Sequence, residues 1–203
     1  MIGKKVRKPA RRAAVFLDRD GVLLRYRPYL RAPEQAILLW GAGRAVARLR
    51  RAGLAVVVVT NQSAIARGLA TRREVDTVHA RVRRLLVREK TKLDGLFLCP
   101  HHPDFGRPCR CRKPSDFLLR QAARKLFLDL SRSYMVGDNG SDMEAGERAG
   151  CTTVLVRTGL GRRQKRAALS ADRICKNLWT ASGWILRKHA EKKAEPGFRL
   201  PPE

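Results

Sequence analysis

Short apolar segments alternate with amphipathic segments along most of the chain, and this alternation restricts the possible folds more than any other feature. Ala13–Leu17 and Leu54–Val59 are apolar runs of strand length that end in polar residues, as strands buried on both faces of a parallel sheet do. Between them, apolar residues recur at helical spacing up to Leu49, and Gly53 follows where a helix would end. These segments predict a βαβ unit.

The remainder of the chain continues the pattern. Thr71-Arg72-Arg73-Glu74 matches a capping box and begins a helix predicted to run to about Lys90. Further strands are predicted at Gly95–Leu98, Tyr134–Val136, Thr152–Val156 and, as an edge strand, Ala171–Cys175. Further helices are predicted at 116–127, 143–149, 162–169 and 178–188. The alternation predicts an α/β fold with one open, mostly parallel, Rossmann-like sheet and helices on both faces.

The chain length of 203 residues suits one substantial hydrophobic core. We therefore expect a single domain over residues 13–188. It would lie between a basic N-terminal tail, residues 1–12, and a C-terminal tail, residues 189–203, that is expected to be mobile.

The formal net charge of +26 is the unusual feature of the composition, because such a charge attracts polyanions. No basic platform interleaved with aromatic residues and no nucleic-acid-binding motif accompanies it, so a solvated arginine-rich surface is favoured over nucleic-acid binding. The longest aliphatic run falls far short of the roughly 20 residues that cross a bilayer, and the N-terminus lacks the apolar stretch of a secretory signal. We expect a cytoplasmic protein without a membrane partner.

Residues whose side chains can act in catalysis or bind metal follow several of the predicted strands. Asp18, Thr60, Cys99 and Asp138 all lie at such positions, and ligands of open α/β sheets bind beyond the carboxyl ends of the strands. The segment Asp18-Arg19-Asp20-Gly21 places two carboxylates beside a glycine that permits a sharp turn. One carboxylate could then act as a nucleophile while the other transfers a proton.

An aspartate that attacks a phosphate is an anion approaching an anion, so the site requires cations. Mg²⁺ held by Asp18 and Asp138 would supply one, and the ammonium of Lys113 another. Thr60 offers a hydroxyl and a backbone N–H for phosphate oxygens. Each of these signals taken singly also fits a turn, a helix cap or a loop, whereas the ordered set is difficult to obtain by chance.

The order Asp-x-Asp-Gly, Thr-Asn, Lys-Pro and Gly-Asp-x-x-x-Asp resembles the haloacid-dehalogenase superfamily over roughly residues 14–160. Within it, the chain resembles the small histidinol-phosphate and heptose-bisphosphate phosphatases. The resemblance implies that Asp18 forms an aspartyl-phosphate, that Asp20 serves as general acid and then base, and that Thr60 and Lys113 stabilise the phosphate. It also implies Mg²⁺ ligation by Asp18, the backbone carbonyl of Asp20, and Asp138.

The segment from Cys99 to Pro114, which we call the zinc loop, is rich in Pro, Cys and His and has no periodicity. Cys99, Cys109 and Cys111 with a nearby histidine form a ligand set suited to tetrahedral Zn²⁺. The alternative is a set of free reduced thiols, since a disulfide between Cys109 and Cys111 is geometrically poor. The resemblance selects His101 over His102 as the fourth ligand, and implies a structural zinc in a loop that replaces a large cap.

The remaining cysteines and histidines receive simpler interpretations. Cys151 and Cys175 are expected to be buried as small apolar residues, and His79 and His189 are expected at the surface.

The segment that begins at Thr60, together with the Cys-Pro-His-His-Pro run of the zinc loop, resembles the heptose-bisphosphate phosphatases more closely than the histidinol-phosphate enzymes. The resemblance implies a phosphoric monoester hydrolase that takes a small phosphorylated metabolite, with D-glycero-β-D-manno-heptose 1,7-bisphosphate dephosphorylated at its 7-position. We expect the protein to be a monomer. A histidinol-phosphate phosphatase is the nearest alternative, followed by a nucleic-acid-binding protein or nucleic-acid-end phosphatase. The implied substrate contacts are Tyr29, Asn61, Gln62, Ser63 and Arg112, with Arg112 on the second phosphate.

Overall fold

The computed structural model describes residues 11–106 and 108–194. Within these residues, six parallel strands form one sheet in the order β3-β2-β1-β4-β5-β6. The strands are β1 Arg12–Leu17, β2 Ala55–Asn61, β3 Gly95–Cys99, β4 Leu128–Gly137, β5 Thr152–Val156 and β6 Arg173–Cys175. The helices are α1 Ala42–Arg51, α2 Arg72–Arg88, α3 Phe117–Leu126, α4 Gly140–Ala149, α5 Lys165–Ser170 and α6 Leu178–Ala194, with 3-10 turns at Pro33–Gln35 and Gly161–Arg163. The predicted open parallel α/β sheet is confirmed.

The first strand lies in the middle of the sheet, between β2 and β4. Successive residues of a strand point to opposite faces, so its odd-numbered residues, such as Val15, join a core with α1, α2 and α6, while even-numbered ones, such as Phe16, join a core with α3 and α4. Burial on both faces explains the uninterrupted apolar runs in the sequence. The strand order reverses between β1 and β4, which places the favoured ligand site of an open α/β sheet at their carboxyl ends.

Several element boundaries differ from the predicted ones, including the following three. Strand β4 begins at Leu128 instead of Tyr134. Its first residues pair with β1 before a register shift, but they are largely polar and so give no apolar strand pattern in the sequence. Helix α4 begins at Gly140, where Asn139 and Asp142 form a capping box. Helix α6 continues to Ala194, so the first part of the predicted C-terminal tail is helical, and the remainder lies outside the described residues, as do residues 1–10.

The surface assignment of two histidines is wrong. His79 is 2% exposed and His189 is 6% exposed. His79 lies on the buried side of α2 with Val78 and Val82, and the ring of His189 packs against Tyr134, with centroids 6.5 Å apart. Apolar periodicity does not predict the burial of a histidine, because the residues that pack against its ring come from distant segments of the chain.

Other local predictions are confirmed. Cys151 and Cys175 are buried, the Thr71–Glu74 capping box begins α2, and β6 lies at the edge of the sheet. Among the described residues, no helix has both the length and the apolar character needed to cross a membrane.

Candidate active site

A cavity of about 330 Å³ opens at the carboxyl ends of β1, β2 and β4. Its wall includes almost all of the predicted catalytic, substrate-binding and magnesium-binding residues: Asp18, Asp20, Tyr29, Asn61, Gln62, Ser63, Arg112, Lys113 and Asp138. The described part of the chain therefore brings together residues that lie up to 120 positions apart in the sequence. Thr60 is buried at the end of β2 behind this wall.

The turn after β1 brings Asp18 next to Asp138. The backbone N–H of Asp18 donates to the carbonyl of Val136 across the sheet, at 3.0 Å. Gly21 has φ of 84°, and a side chain at this position would collide with the carboxylate of Asp138. The glycine of the Asp-x-Asp-Gly motif thus provides both the left-handed conformation and the space that the turn requires.

Asp18, Asp138 and Asp142 form an acidic cluster in which one carboxylate oxygen from each lies within 4.8 Å of the others. Burial, followed by repulsion from Asp142 and Asp20, raises the pKa of Asp18 to about 6 in spite of Lys113. Burial and the charge of Asp18 raise the pKa of Asp138 to about 8. A bound cation would relieve this repulsion, and carboxylate oxygens are the ligands that Mg²⁺ prefers. The donor set therefore fits the predicted magnesium.

Lys113 supplies the fixed positive charge of the site. Its side-chain Nζ donates to Oδ1 of Asp18 at 2.7 Å and to the carbonyl of Val59 at 2.8 Å, and it lies 2.6 Å from Oδ1 of Asp142. Although burial disfavours the ammonium, Asp142 and Asp18 hold the pKa of Lys113 above its usual value. Three acceptors match the three N–H groups of a lysine, so the ammonium is held in one place.

The side chain of Asn61 positions the backbone of Lys113. Its Nδ2 donates to the carbonyl of Lys113 at 3.1 Å, and its Oδ1 accepts from the Lys113 N–H at 3.0 Å. Sequence reasoning assigned Asn61 to the substrate and missed this pairing. No local signal could have revealed it, because the two residues lie 52 positions apart.

Asp20 faces the cavity, and its carboxylate accepts hydrogen bonds from the side chains of Arg19 and Gln62. Gln62 also donates to the hydroxyl of Thr60 at 2.8 Å. The hydroxyl of Thr60 is therefore engaged within the wall, and its predicted contact with phosphate stays a prediction.

Cys99, His101, Cys109 and Cys111 converge in the zinc loop, with one potential ligand atom from each within 4.8 Å of the others. The Sγ atoms of Cys99 and Cys109 lie 3.6 Å apart, and Nδ1 of His101 lies 3.7 Å from Sγ of Cys99 and 3.3 Å from Sγ of Cys111. Tetrahedral zinc with Zn–S distances of about 2.3 Å implies ligand separations of roughly 3.5–3.8 Å. The four residues fit zinc with no position left open for a substrate.

The zinc loop is joined to the cavity wall by backbone hydrogen bonds. The N–H of Gln62 donates to the carbonyl of Cys99 at 2.7 Å, and Ala66 donates to Pro100 at 3.1 Å. Burial raises the pKa of the Cys99 thiol, whereas a coordinated thiol loses its proton. His102, the rejected alternative ligand, instead lies 2.8 Å from the guanidinium of Arg67.

Comparison with known proteins agrees with this geometry. The family profile described as HAD-hydrolase-like matches residues 110–181. A D-glycero-beta-D-manno-heptose-1,7-bisphosphate 7-phosphatase of Bordetella bronchiseptica is 36% identical over 86% of this chain and 98% of its own length. The protein of that name from Escherichia coli K12 is 41% identical over 72% of this chain and 80% of its own length.

A solved structure shows the same likeness. The D,D-heptose 1,7-bisphosphate phosphatase of B. bronchiseptica, complexed with magnesium and phosphate, aligns with a TM-score of 0.80 at 36% identity. The alignment covers 87% of this chain and 99% of that one.

Proposed function

This chain belongs to the haloacid-dehalogenase superfamily, within the family of heptose-bisphosphate phosphatases, and on that basis we propose that it hydrolyses the 7-phosphate of D-glycero-β-D-manno-heptose 1,7-bisphosphate. The observation that carries the proposal is the convergence of Asp18, Lys113 and Asp138 on one cavity. A nucleophilic carboxylate, a fixed ammonium and a further carboxylate for a divalent cation are the groups that phosphoryl transfer needs.

The first step forms an aspartyl-phosphate. The carboxylate of Asp18 attacks phosphorus, the bond from phosphorus to the sugar oxygen breaks, and Asp20 donates a proton to the departing oxygen. The sugar, which still carries its 1-phosphate, then leaves. In the second step Asp20 removes a proton from water and the water oxygen attacks phosphorus. The bond from phosphorus to the Asp18 oxygen breaks, so that inorganic phosphate departs and the Asp18 carboxylate is restored.

The chain supplies part of the positive charge that this reaction requires. The ammonium of Lys113 lies 2.7 Å from the attacking carboxylate, where it can stabilise charge that develops on the phosphoryl oxygens. Magnesium, bound by Asp18, Asp138 and the carbonyl of Asp20, would neutralise phosphate charge. Asp142 keeps Lys113 protonated and in place, a role that the sequence alone did not assign.

The substrate assignment rests on the relatives and on the cavity wall. Arg112 lines the cavity, with its Nη1 donating to the carbonyl of His101 at 3.1 Å, so the zinc loop can hold this guanidinium for the second phosphate. Tyr29 and Ser63 line the same cavity and are proposed to contact the sugar. A monomeric state and a cytoplasmic location stay predictions.

Phosphate release from the heptose bisphosphate and from histidinol phosphate, with magnesium and then with a chelator, tests the proposal. We expect one phosphate per heptose bisphosphate, a 1-phosphate product by NMR spectroscopy, and loss of activity with chelator. Preference for histidinol phosphate, or inactivity on both compounds with magnesium, would contradict the proposed substrate.

A further inference from the structure

Arg19, between the two motif carboxylates, is almost completely buried, at 1% exposure. A buried guanidinium requires partners for its charge and its N–H groups. Its Nη2 donates to Oδ2 of Asp20 at 2.8 Å, and its Nε lies 3.1 and 3.2 Å from the two carboxylate oxygens. Arg19 therefore fixes the plane of the Asp20 carboxylate.

Gln62 closes a ring of hydrogen bonds around the same carboxylate. Its Oε1 accepts from Nη2 of Arg19 at 2.9 Å, and its Nε2 donates to Oδ2 of Asp20 at 3.1 Å. The orientation of Asp20 consequently depends on where the guanidinium of Arg19 lies.

His79 provides the partner on the far side of Arg19. Its Nε2 lies 3.0 Å from Nη1 of Arg19. Arginine only donates hydrogen bonds, so Nε2 accepts and Nδ1 carries the proton. Burial and the positive charge of Arg19 lower the pKa of His79 to about 3, which keeps the imidazole neutral and able to accept.

The location of His79 excludes contact with the substrate. It lines a separate cavity of about 300 Å³, together with Asp76 and Arg83 of α2, and it is absent from the wall of the active-site cavity. The hydrogen bond to Arg19 is the contact that links His79 to the residues around the active site.

We propose that His79 is a positioning residue for phosphoryl transfer, which holds Arg19 so that Asp20 is aimed at the leaving oxygen. The inference rests on the proposed reaction. Without an acceptor at position 79, an N–H of a buried guanidinium loses its partner. The guanidinium then shifts towards another acceptor and takes the Asp20 carboxylate with it.

Leaving groups of different acidity separate this role from a general loss of structure. A sugar alkoxide departs poorly and needs a proton from Asp20, whereas p-nitrophenolate departs without one. The ratio kcat/KM covers only the steps through aspartyl-phosphate formation. It therefore reports on Asp20 as the acid of the first step and not as the base of the second. For His79→Leu we expect kcat/KM on the heptose bisphosphate to fall about tenfold to a hundredfold, but on p-nitrophenyl phosphate by less than about threefold.

Two further variants serve as controls. His79→Gln retains an acceptor oxygen near the position of Nε2, and it should restore most of the lost kcat/KM on the sugar phosphate. Val82→Ala removes packing on the same buried face of α2, but valine has no hydrogen-bonding group to offer Arg19, so kcat/KM should change by equal factors on both substrates. The inference is overturned if His79→Leu has the same ratio of kcat/KM values on the two substrates as the wild type. It is also overturned if His79→Leu and His79→Gln lose kcat/KM on the sugar phosphate equally.

A crystal structure of His79→Leu separates failure of this inference from failure of the proposed function. If the wild-type chain does not hydrolyse the heptose bisphosphate, the proposed substrate is wrong, and the position of Asp20 in the variant then decides the role of His79. A rotated Asp20 carboxylate supports the inference. An unmoved Arg19–Asp20 pair overturns it.

Discussion

Replacement of Lys113 by methionine removes a buried cation from between two carboxylates. The lysine side chain is 2% exposed and so is that of Asp142, which lies 2.6 Å away. Methionine fills a similar volume but leaves Asp142 and Asp18 without their shared partner. The variant therefore isolates the charge of Lys113 from its packing.

The expected loss of stability follows from the burial of the ion pair. Removal of one partner from a buried pair costs about 3–5 kcal/mol, because the other charge remains in a poorly solvated place. We expect Lys113→Met to lower the free energy of unfolding by about that amount. Phosphate release should become undetectable, because Lys113 is the cation that pairs with Asp18 among the residues that the structure describes.

A second substitution should recover stability without activity. Asp142→Asn in the Lys113→Met background removes the stranded charge, while its amide oxygen can still accept from the N–H of Asn139 at the start of α4. The double variant should regain roughly 1–3 kcal/mol of the unfolding free energy. It should remain inactive.

Urea denaturation in buffer without added magnesium measures these differences, because magnesium would itself stabilise the carboxylates. Lys125→Met, on the exposed side of α3, is the matched control and should stay within about 0.5 kcal/mol of the wild type. The reasoning fails if Lys113→Met loses less than about 1 kcal/mol, or if the double variant is no more stable than the single one.

Three other predictions concern the nucleophile, the zinc loop and His79. Asp18→Asn should abolish phosphate release and leave the circular dichroism spectrum intact, since it removes the attacking charge; near-normal turnover would contradict the assignment. The protein should retain one zinc per chain after dialysis and Cys109→Ser should lose it, whereas elemental analysis that finds no zinc in the wild-type protein rejects the site. Burial lowers the pKa of His79 to about 3 in the fold, against an ordinary value of 6.5. Below about pH 6.5 the unfolded chain binds the proton before the folded chain does, so the free energy of unfolding falls by about 1.4 kcal/mol for each unit by which the pH is lowered. From pH 7 to pH 5, His79→Gln should therefore lose about 2 kcal/mol less unfolding free energy than the wild type, and equal losses would contradict the buried neutral imidazole.

The placement of the site could be predicted from the sequence because parallel strands meet at one edge. The apolar runs of β1 and β4 predict that Asp18 and Asp138 lie at the same edge of the sheet, beyond the carboxyl ends of the strands. The pairing of β1 with β4 then brings them close together. The zinc loop was predictable for a related reason, since a segment without apolar periodicity that carries clustered Cys and His residues is ordered most simply by a metal.

The interactions that fix the site could not be predicted in this way. The pairing of Asp142 with Lys113, the hydrogen bonds from Asn61 to the Lys113 backbone, and the burial of His79 against Arg19 all join distant segments. Each is a polar contact made inside the core. Hydrophobic periodicity indicates which helix faces turn inward, but it gives no signal for a polar residue whose partner is set by the tertiary fold.

Acid quenching of the protein during turnover tests the central claim most directly, namely that the carboxylate of Asp18 receives the phosphoryl group. With magnesium and the heptose bisphosphate present, mass spectrometry of the digested protein should find a hydroxylamine-labile phosphoryl group on the peptide that contains Asp18, and none in Asp18→Asn. Turnover without such an adduct in the wild type, or an adduct that persists in Asp18→Asn, would contradict the account.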